Sequence, residues 1–324
     1  MPLDLSSVSI TQLTYASAVA RHRHFGKAAE TCEVTQPTLS MQIKKLETSL
    51  GVVLFDRSRK PVEMTQVGEQ IIRQMGQILQ EISRIEDIVD SARGEIRGDF
   101  HLGIIPTLAP YLLPRFLEDF GRTHPDVTLY VQELQTDEML IQINDGHIDA
   151  GLLATPTHAQ GIIEQPLFFE PFYVLTTPGH PLLKKKTVRQ EDLSLDEVWL
   201  LTEGHCLRNQ TLHLCELKRS DSAKRVHFEA GSLETLIRMV EQGSGYTLMP
   251  QLATEGISND RQRNTLRKFS GSQPGREISI AFSRADLKRG IIDALSDSIR
   301  ANLPSTLVKK GRRNVIDIQD PATR

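Results

Sequence analysis

Between Thr65 and Arg93 the apolar residues Val67, Ile71, Met75, Ile78, Ile82, Ile85, Val89 and Ala92 recur at spacings of 4, 4, 3, 4, 3, 4 and 3. That near-heptad rhythm predicts one long helix carrying an apolar seam on one side. No flanking stretch offers a matching seam, so the helix is expected to pair with a second copy of the chain. It also divides the 324 residues into two parts with different periodicities.

Upstream, residues 10 to 50 read as three short helices. Their apolar positions are Leu13, Ala16 and Ala20; then Phe25, Ala28, Ala29 and Cys32; then Leu39, Ile43, Leu46 and Leu50. Thr35 is the expected N-cap of the third helix, with Pro37 in its first turn. A helical hairpin of this kind resembles a helix-turn-helix, whose second helix enters the major groove. From Val52 to Met64 the chain reads as two short strands joined by the basic tip Arg57-Ser58-Arg59-Lys60, which predicts a winged variant.

Downstream, Gly94 to Asp99 ends the long helix, and strands alternate with helices: Phe100–Ile105, Leu108–Arg122, Val127–Gln132, Asp137–Asp145 and Ile148–Leu153. Such alternation predicts an α/β sheet domain. Leu167 to Thr177 reads as a double strand that is expected to cross into a second subdomain, and Arg276–Phe282 as a late returning strand. The result is a two-lobed binding fold with its cleft at strand C-termini and helix N-termini. The expected divisions are 1–65, DNA-binding; 66–93, linker helix; 94–308, regulatory domain; and 309–324, a loose polar tail.

Composition limits the function classes. A net charge of −3 carries no global basic excess. Residues 1–65 hold eight Lys/Arg against six Asp/Glu, a net of +2, so pattern outweighs charge there. Gln36, Thr38, Ser40, Met41, Lys44 and Lys45 lie between the apolar positions of the third helix, with Pro37 in its first turn, and are expected to face a groove. Gln suits adenine edges, Ser and Thr are versatile, and Lys neutralises phosphate. Arg57 and Arg59 suit phosphate or the minor groove. The bland alternative is a solvated helix face. The start Met1-Pro2-Leu3-Asp4 has no signal-peptide pattern, and no run approaches a membrane span, so a cytoplasmic protein without membrane contact is expected. The three cysteines, Cys32, Cys206 and Cys215, form no structural disulfide framework in such a compartment. Cys32 falls on the apolar face of the second helix and reads as a packed, inert thiol.

The run Ala28-Ala29-Glu30, Val34-Thr35-Gln36-Pro37-Thr38-Leu39-Ser40, Ile43-Lys44-Lys45-Leu46-Glu47, Leu50-Gly51, Leu54-Phe55-Asp56-Arg57 and Thr65-Gln66-Val67-Gly68 resembles the amino-terminal domain of LysR-type transcriptional regulators. The resemblance extends over nearly the whole chain. It implies a winged helix-turn-helix, a dimerising linker helix and a two-subdomain effector domain like that of periplasmic binding proteins, assembled as a homotetramer on double-stranded promoter DNA. RNA polymerase is then an expected partner.

Glu203-Gly204-His205-Cys206-Leu207-Arg208-Asn209-Gln210 followed by Cys215 resembles the redox segment of the peroxide-sensing members of that family. Those members usually carry Asp where this chain has Asn209. The resemblance implies that Cys206 reacts with hydrogen peroxide to a sulfenic acid and that Cys215 resolves it to a disulfide, later cleared by a disulfide reductant. It also implies a peroxide pocket of Thr107, Thr136, His205, His227 and Arg284. No metal, cofactor or enzymatic turnover is expected. Thr107 and Thr136 read equally as helix N-caps, Ser232 as the cap of a later helix, and His227 as a core histidine. A turn at Glu203-Gly204 would set Cys206 at a helix N-terminus, whose partial positive charge favours an anion, with His205 and Arg208 as cationic or hydrogen-bonding neighbours.

If residues 206–215 form a continuous helix, nine residues at about 1.5 Å each separate the two Cα atoms by roughly 13 Å. A disulfide tolerates no more than about 7 Å, so oxidation of such a helix must unwind it. Other readings stay open: two packed thiols that never react, an incidental loop disulfide, or a zinc site of His205, Cys206, His213 and Cys215, which lacks the usual short Cys-x2–4-Cys chelate. For the whole chain, a regulator answering a small organic metabolite with silent cysteines is the alternative. A thiol peroxidase would have no use for the winged helix.

Overall fold

In a computed structural model the described residues are 8–93, 95–215, 228–258, 262, 264–284, 288–308 and 314–318. The chain divides into two compact units, residues 1–93 and 94–324.

The first unit begins with α1 (Ile10–His22), which opens on a reciprocal capping box between Ser9 and Gln12. The second helix, α2 (Phe25–Thr31), starts at His24, whose ring accepts from the Gly26 and Lys27 amides. Helix α3 (Gln36–Leu50) is capped by the Thr35 hydroxyl, carries Pro37 in its first turn, and stops at Gly51, which adopts φ 68°. A two-stranded wing, β1 (Phe55–Asp56) and β2 (Glu63–Met64), pairs antiparallel. Leu13, Ala16, Val19, Ala28, Leu39, Ile43, Leu46, Leu54 and Phe55 form the core, the face that the helical spacing marked out.

The long helix α4 (Gln66–Arg93) departs from the expected seam in its first turns. Met75 is buried in the unit's own core and Ile71 is packed against it, so this part of the seam already has a local partner. Further along, Ile78, Ile85 and Val89 stand 43%, 62% and 43% exposed.

The second unit is α/β. Its first lobe contains β3 (Gly98–Ile104), α5 (Ala109–Thr123), β4 (Val127–Glu133), α6 (Thr136–Asn144) and β5 (Ala150–Thr155), with β3 parallel to both β4 and β5. The 15-residue strand β6 (Ile162–Thr176) is the crossing. The second lobe contains β7 (Thr187–Val188), β8 (Leu200–Leu201), α7 (Cys206–Cys215), β9 (Glu229–Ala230), α8 (Leu233–Gln242), β10 (Tyr246–Pro250), α9 (Gln251–Thr254) and β11 (Leu266–Phe269). Strand β12 (Pro274–Ser283) returns to the first lobe, followed by α10 (Arg289–Ala301), α11 (Ser305–Val308) and β13 (Asn314–Val315).

One end of β6 pairs with β12, from Ile162↔Ser283 to Pro171↔Gly275, and the other with β10 and β11. The sheet order is therefore β4-β3-β5-β12-β6-β11-β7, and two cores flank it. One gathers Phe100, Leu102, Phe116, Leu152, Ile278 and Ile292; the other gathers Phe172, Val174, Leu201, Leu236, Val240 and Tyr246. Among the described residues no helix is long and apolar enough to cross a membrane.

Candidate redox site and nucleic-acid interface

Parallel pairing of β3 and β4 brings two helix starts side by side. Ile104 and Glu133 are register partners, and Thr107 and Thr136 lie three residues beyond them. Neither threonine is the cap that the sequence suggests. Helix α5 has Leu108 and α6 has Gln135 at the cap position, without a side-chain cap bond. The hydroxyls are used elsewhere. Thr136 Oγ1 donates to Cys206 Sγ at 3.4 Å. Thr107 Oγ1 accepts from Arg276 Nη1 at 2.8 Å, and Arg276 Nη2 donates to the Thr107 carbonyl at 3.1 Å.

Gly204 lies in the turn before α7. Its φ is +88°, a conformation L side chains rarely adopt, and a Cβ there would also displace the end of the Gln135 side chain, so glycine suits the turn beside the start of α6. The helix then begins at Cys206. Both cysteines are free and buried, but in different cores: Cys206 belongs to the first lobe's cluster and Cys215 to the second's. Helix α7 thus reaches from one core to the other with a thiol at each end. Burial pushes the Cys215 thiol up to about 12, opposed by the Tyr246 hydroxyl beside it. It is held as a neutral thiol until the helix changes.

His205 is buried, and burial lowers its basicity against a hydrogen bond to the Gly231 backbone. Burial thus disfavours the cationic form of the ring considered above. Arg208 is not a partner of the thiol either. Its Nη1 donates to the Leu201 carbonyl at 2.8 Å and to Glu229 Oε1 at 2.7 Å.

Arg284 is a correction. It lies exposed beyond the far end of β12, its amide bonded to the Gly161 carbonyl, and eight residues of strand, roughly 26 Å, separate it from Arg276. The guanidinium that reaches the site belongs to Arg276, fully buried, with Nη2 2.8 Å from Glu170 Oε2. Glu170 Oε1 also accepts from the Leu252 amide at 2.8 Å, so the buried charge pair is well satisfied. His227 lies outside the described residues. Among the described residues no three His, Cys, Asp or Glu side chains converge as a metal site.

In the first unit Gln36, Pro37, Thr38, Met41, Lys44 and Lys45 stand exposed along α3. The wing arginines are less available than the sequence suggests. Arg57 donates to Ser40 Oγ and Glu47 Oε2, each at 3.0 Å, so it ties the wing to α3 and occupies Ser40 as well. Glu47 Oε1 also accepts from the Leu54 amide at 2.8 Å, a structural role that its exposed-looking helical position conceals. Arg59 pairs with Glu63 at 2.9 Å.

Comparison with known proteins settles the family. Residues 10–69 match the bacterial regulatory helix-turn-helix of the LysR family, and residues 93–304 match the LysR substrate binding domain. The chain belongs to the LysR family. Within that family it is 36% identical over 298 residues to the hydrogen peroxide-inducible genes activator of Pectobacterium carotovorum subsp. carotovorum, covering 91% of this chain and 97% of that one. It is likewise 36% identical to the DNA-binding transcriptional dual regulator OxyR of Escherichia coli K12, covering 91% and 96%. Among solved LysR structures, a full-length OxyR cysteine variant from Pseudomonas aeruginosa superposes with TM-score 0.76 at 34% identity, covering 91% and 98%. A hydrogen-peroxide-bound OxyR variant from Corynebacterium glutamicum gives TM-score 0.61 at 30% identity, covering 91% and 92%.

Proposed function

We propose that this chain is a DNA-binding transcription regulator that senses hydrogen peroxide through Cys206 and switches by a Cys206–Cys215 disulfide. The observation that carries the reading is the arrangement of α7: a buried thiol at its first residue accepts a hydroxyl hydrogen bond from Thr136, and a second buried thiol ends the same helix.

The sulfur of Cys206 gives up its proton and attacks one peroxide oxygen, the O–O bond breaks, and the other oxygen leaves as hydroxide, which takes up that proton to become water. Thr107 and Thr136, with His205 and Arg276, orient the oxidant and stabilise the departing charge. The Cys215 thiol then displaces water from the sulfenic acid, forming the disulfide and losing its proton. A dithiol reductant returns both sulfurs to thiols. Gln36, Pro37, Thr38 and Lys44 contact promoter DNA, Ser40 and the wing arginines Arg57 and Arg59 support that surface, and the exposed part of α4 joins two copies. Dimers pair as tetramers in the cytoplasm, where RNA polymerase reads the outcome.

Footprinting of the reduced and peroxide-treated chain on its promoter tests the reading. A footprint that changes with peroxide and becomes fixed in Cys206→Ser supports it. A Cys206→Ser variant that still responds overturns Cys206 as the sensor.

A further inference from the structure

The polar C-terminal stretch is expected from sequence to be loose, but residues 314–318 are docked. Strand β13 runs parallel to β12, with Pro274↔Asn314 and Gly275↔Val315 as partners. The next amide, Ile316 N, donates to the Gly275 carbonyl at 2.9 Å. Ile318 is buried in the same core as Cys206, and Ile316 packs against the core that holds Cys215. This short segment therefore spans the same two cores as α7.

Two adjacent carboxamides tie the segment to that helix. Gln210 Nε2 donates to the Ile316 carbonyl at 3.0 Å, and Asn209 Nδ2 donates to the Ile318 carbonyl at 2.9 Å. The two accepting carbonyls lie two residues apart, and the consecutive Asn-Gln pair meets both. The chemistry requires an amide at 209. An ionised aspartate has no N–H to give and would set carboxylate oxygen against carbonyl oxygen, which gives a physical reason for Asn209 where the family resemblance leads one to expect Asp.

Residues 209 and 210 lie midway between the two cysteines. Bringing Cα atoms from roughly 13 Å to within about 7 Å takes this part of α7 off its helical path, and both carboxamides move with it. We infer that residues 314–318 are a strap that positions α7 in its reduced, helical state through Asn209 and Gln210, and that closing the Cys206–Cys215 disulfide releases it. The inference rests on the proposed redox switch. By stabilising the thiol state, the strap sets how readily the two sulfurs combine.

Hydrogen–deuterium exchange of the full chain, reduced and peroxide-treated, is the test, with alkylated intact mass reporting the disulfide in the same samples. Amides of 314–318 are expected to be protected when reduced and to lose protection when oxidised. Reduced Asn209→Asp should lose that protection without peroxide. In glutathione buffers Asn209→Asp should shift the thiol–disulfide equilibrium about two- to tenfold towards the disulfide, the range for one hydrogen bond. A chain ending at residue 313 should shift it at least as far. Should that truncation fail to fold, Asn209→Asp decides alone. Disulfide formation with unchanged exchange at 314–318, or an unchanged equilibrium in Asn209→Asp, overturns the strap. Absence of any disulfide in the unmodified chain overturns the switch and the strap's release together.

Discussion

Thr136→Val keeps the shape of the side chain beside Cys206 but removes the hydroxyl that donates to Sγ. A hydrogen bond contributes about 0.5–1.5 kcal/mol, so the rate of Cys206 oxidation should fall roughly 2- to 10-fold; stopped-flow rates equal to wild type would contradict the assigned role. Cys215 makes a prediction of opposite character. Burial raises this thiol from 9.0 to about 12, so the folded chain holds the proton more tightly than the unfolded chain. The resulting stability is fully present below pH 9.0 and is lost progressively as pH rises towards about 12. In reductant, the urea midpoint of wild type should drop between pH 8 and 10 relative to Cys215→Ser, and parallel curves would exclude the effect. Of the site, His205 and the two cysteines sit in one short run of the sequence, whereas Thr107 and Thr136 enter as proposed site residues only through the family resemblance, and of these Thr136 is the one bonded to Cys206 Sγ. Arg276 was not legible in the sequence, since an arginine in a strand reads as a surface charge, and its partner Glu170 lies 106 residues away in sequence. The family resemblance points instead to Arg284, which is exposed just past the other end of β12.

Helices announce themselves through caps and apolar spacing, and here those signals placed α1 to α4 well. The use of α4 was only half readable. Met75 follows the same rhythm as Ile78, yet it is buried against the winged unit while Ile78 is exposed, a distinction made by tertiary packing alone. An Ile78→Lys change should therefore leave the winged unit folded but place a charge in the proposed seam between two copies. Sedimentation should show loss of the dimer, with high-affinity DNA binding lost alongside it, and an intact dimer would move the interface elsewhere. On α3 the exposed Lys44 is one of the proposed groove-facing residues. Its replacement by alanine should weaken binding to all DNA sequences and reduce the salt slope by about one; binding with an unchanged slope would remove Lys44 from the phosphate contacts. The wing was legible as an element, but Arg57 was not legible as a structural tie, because Glu47 and Ser40 come from a different element.

At the scale of the molecule, the change from helical to alternating periodicity near Gly94 marks where one compact unit gives way to the other. The alternating strands foretold the α/β domain, and the docking of residues 314–318 escaped notice because five polar-flanked residues carry no periodic signal. A thiol in each core of the regulatory unit, joined by a single helix, means that local sulfur chemistry acts on the packing of both lobes at once. Peptide mapping after a stoichiometric hydrogen peroxide pulse, with free thiols alkylated before digestion, tests this claim most directly. The prediction is a disulfide-linked peptide pair containing Cys206 and Cys215, with Cys32 still alkylated. Recovery of Cys206 and Cys215 both alkylated, or of Cys32 in the disulfide, would contradict it.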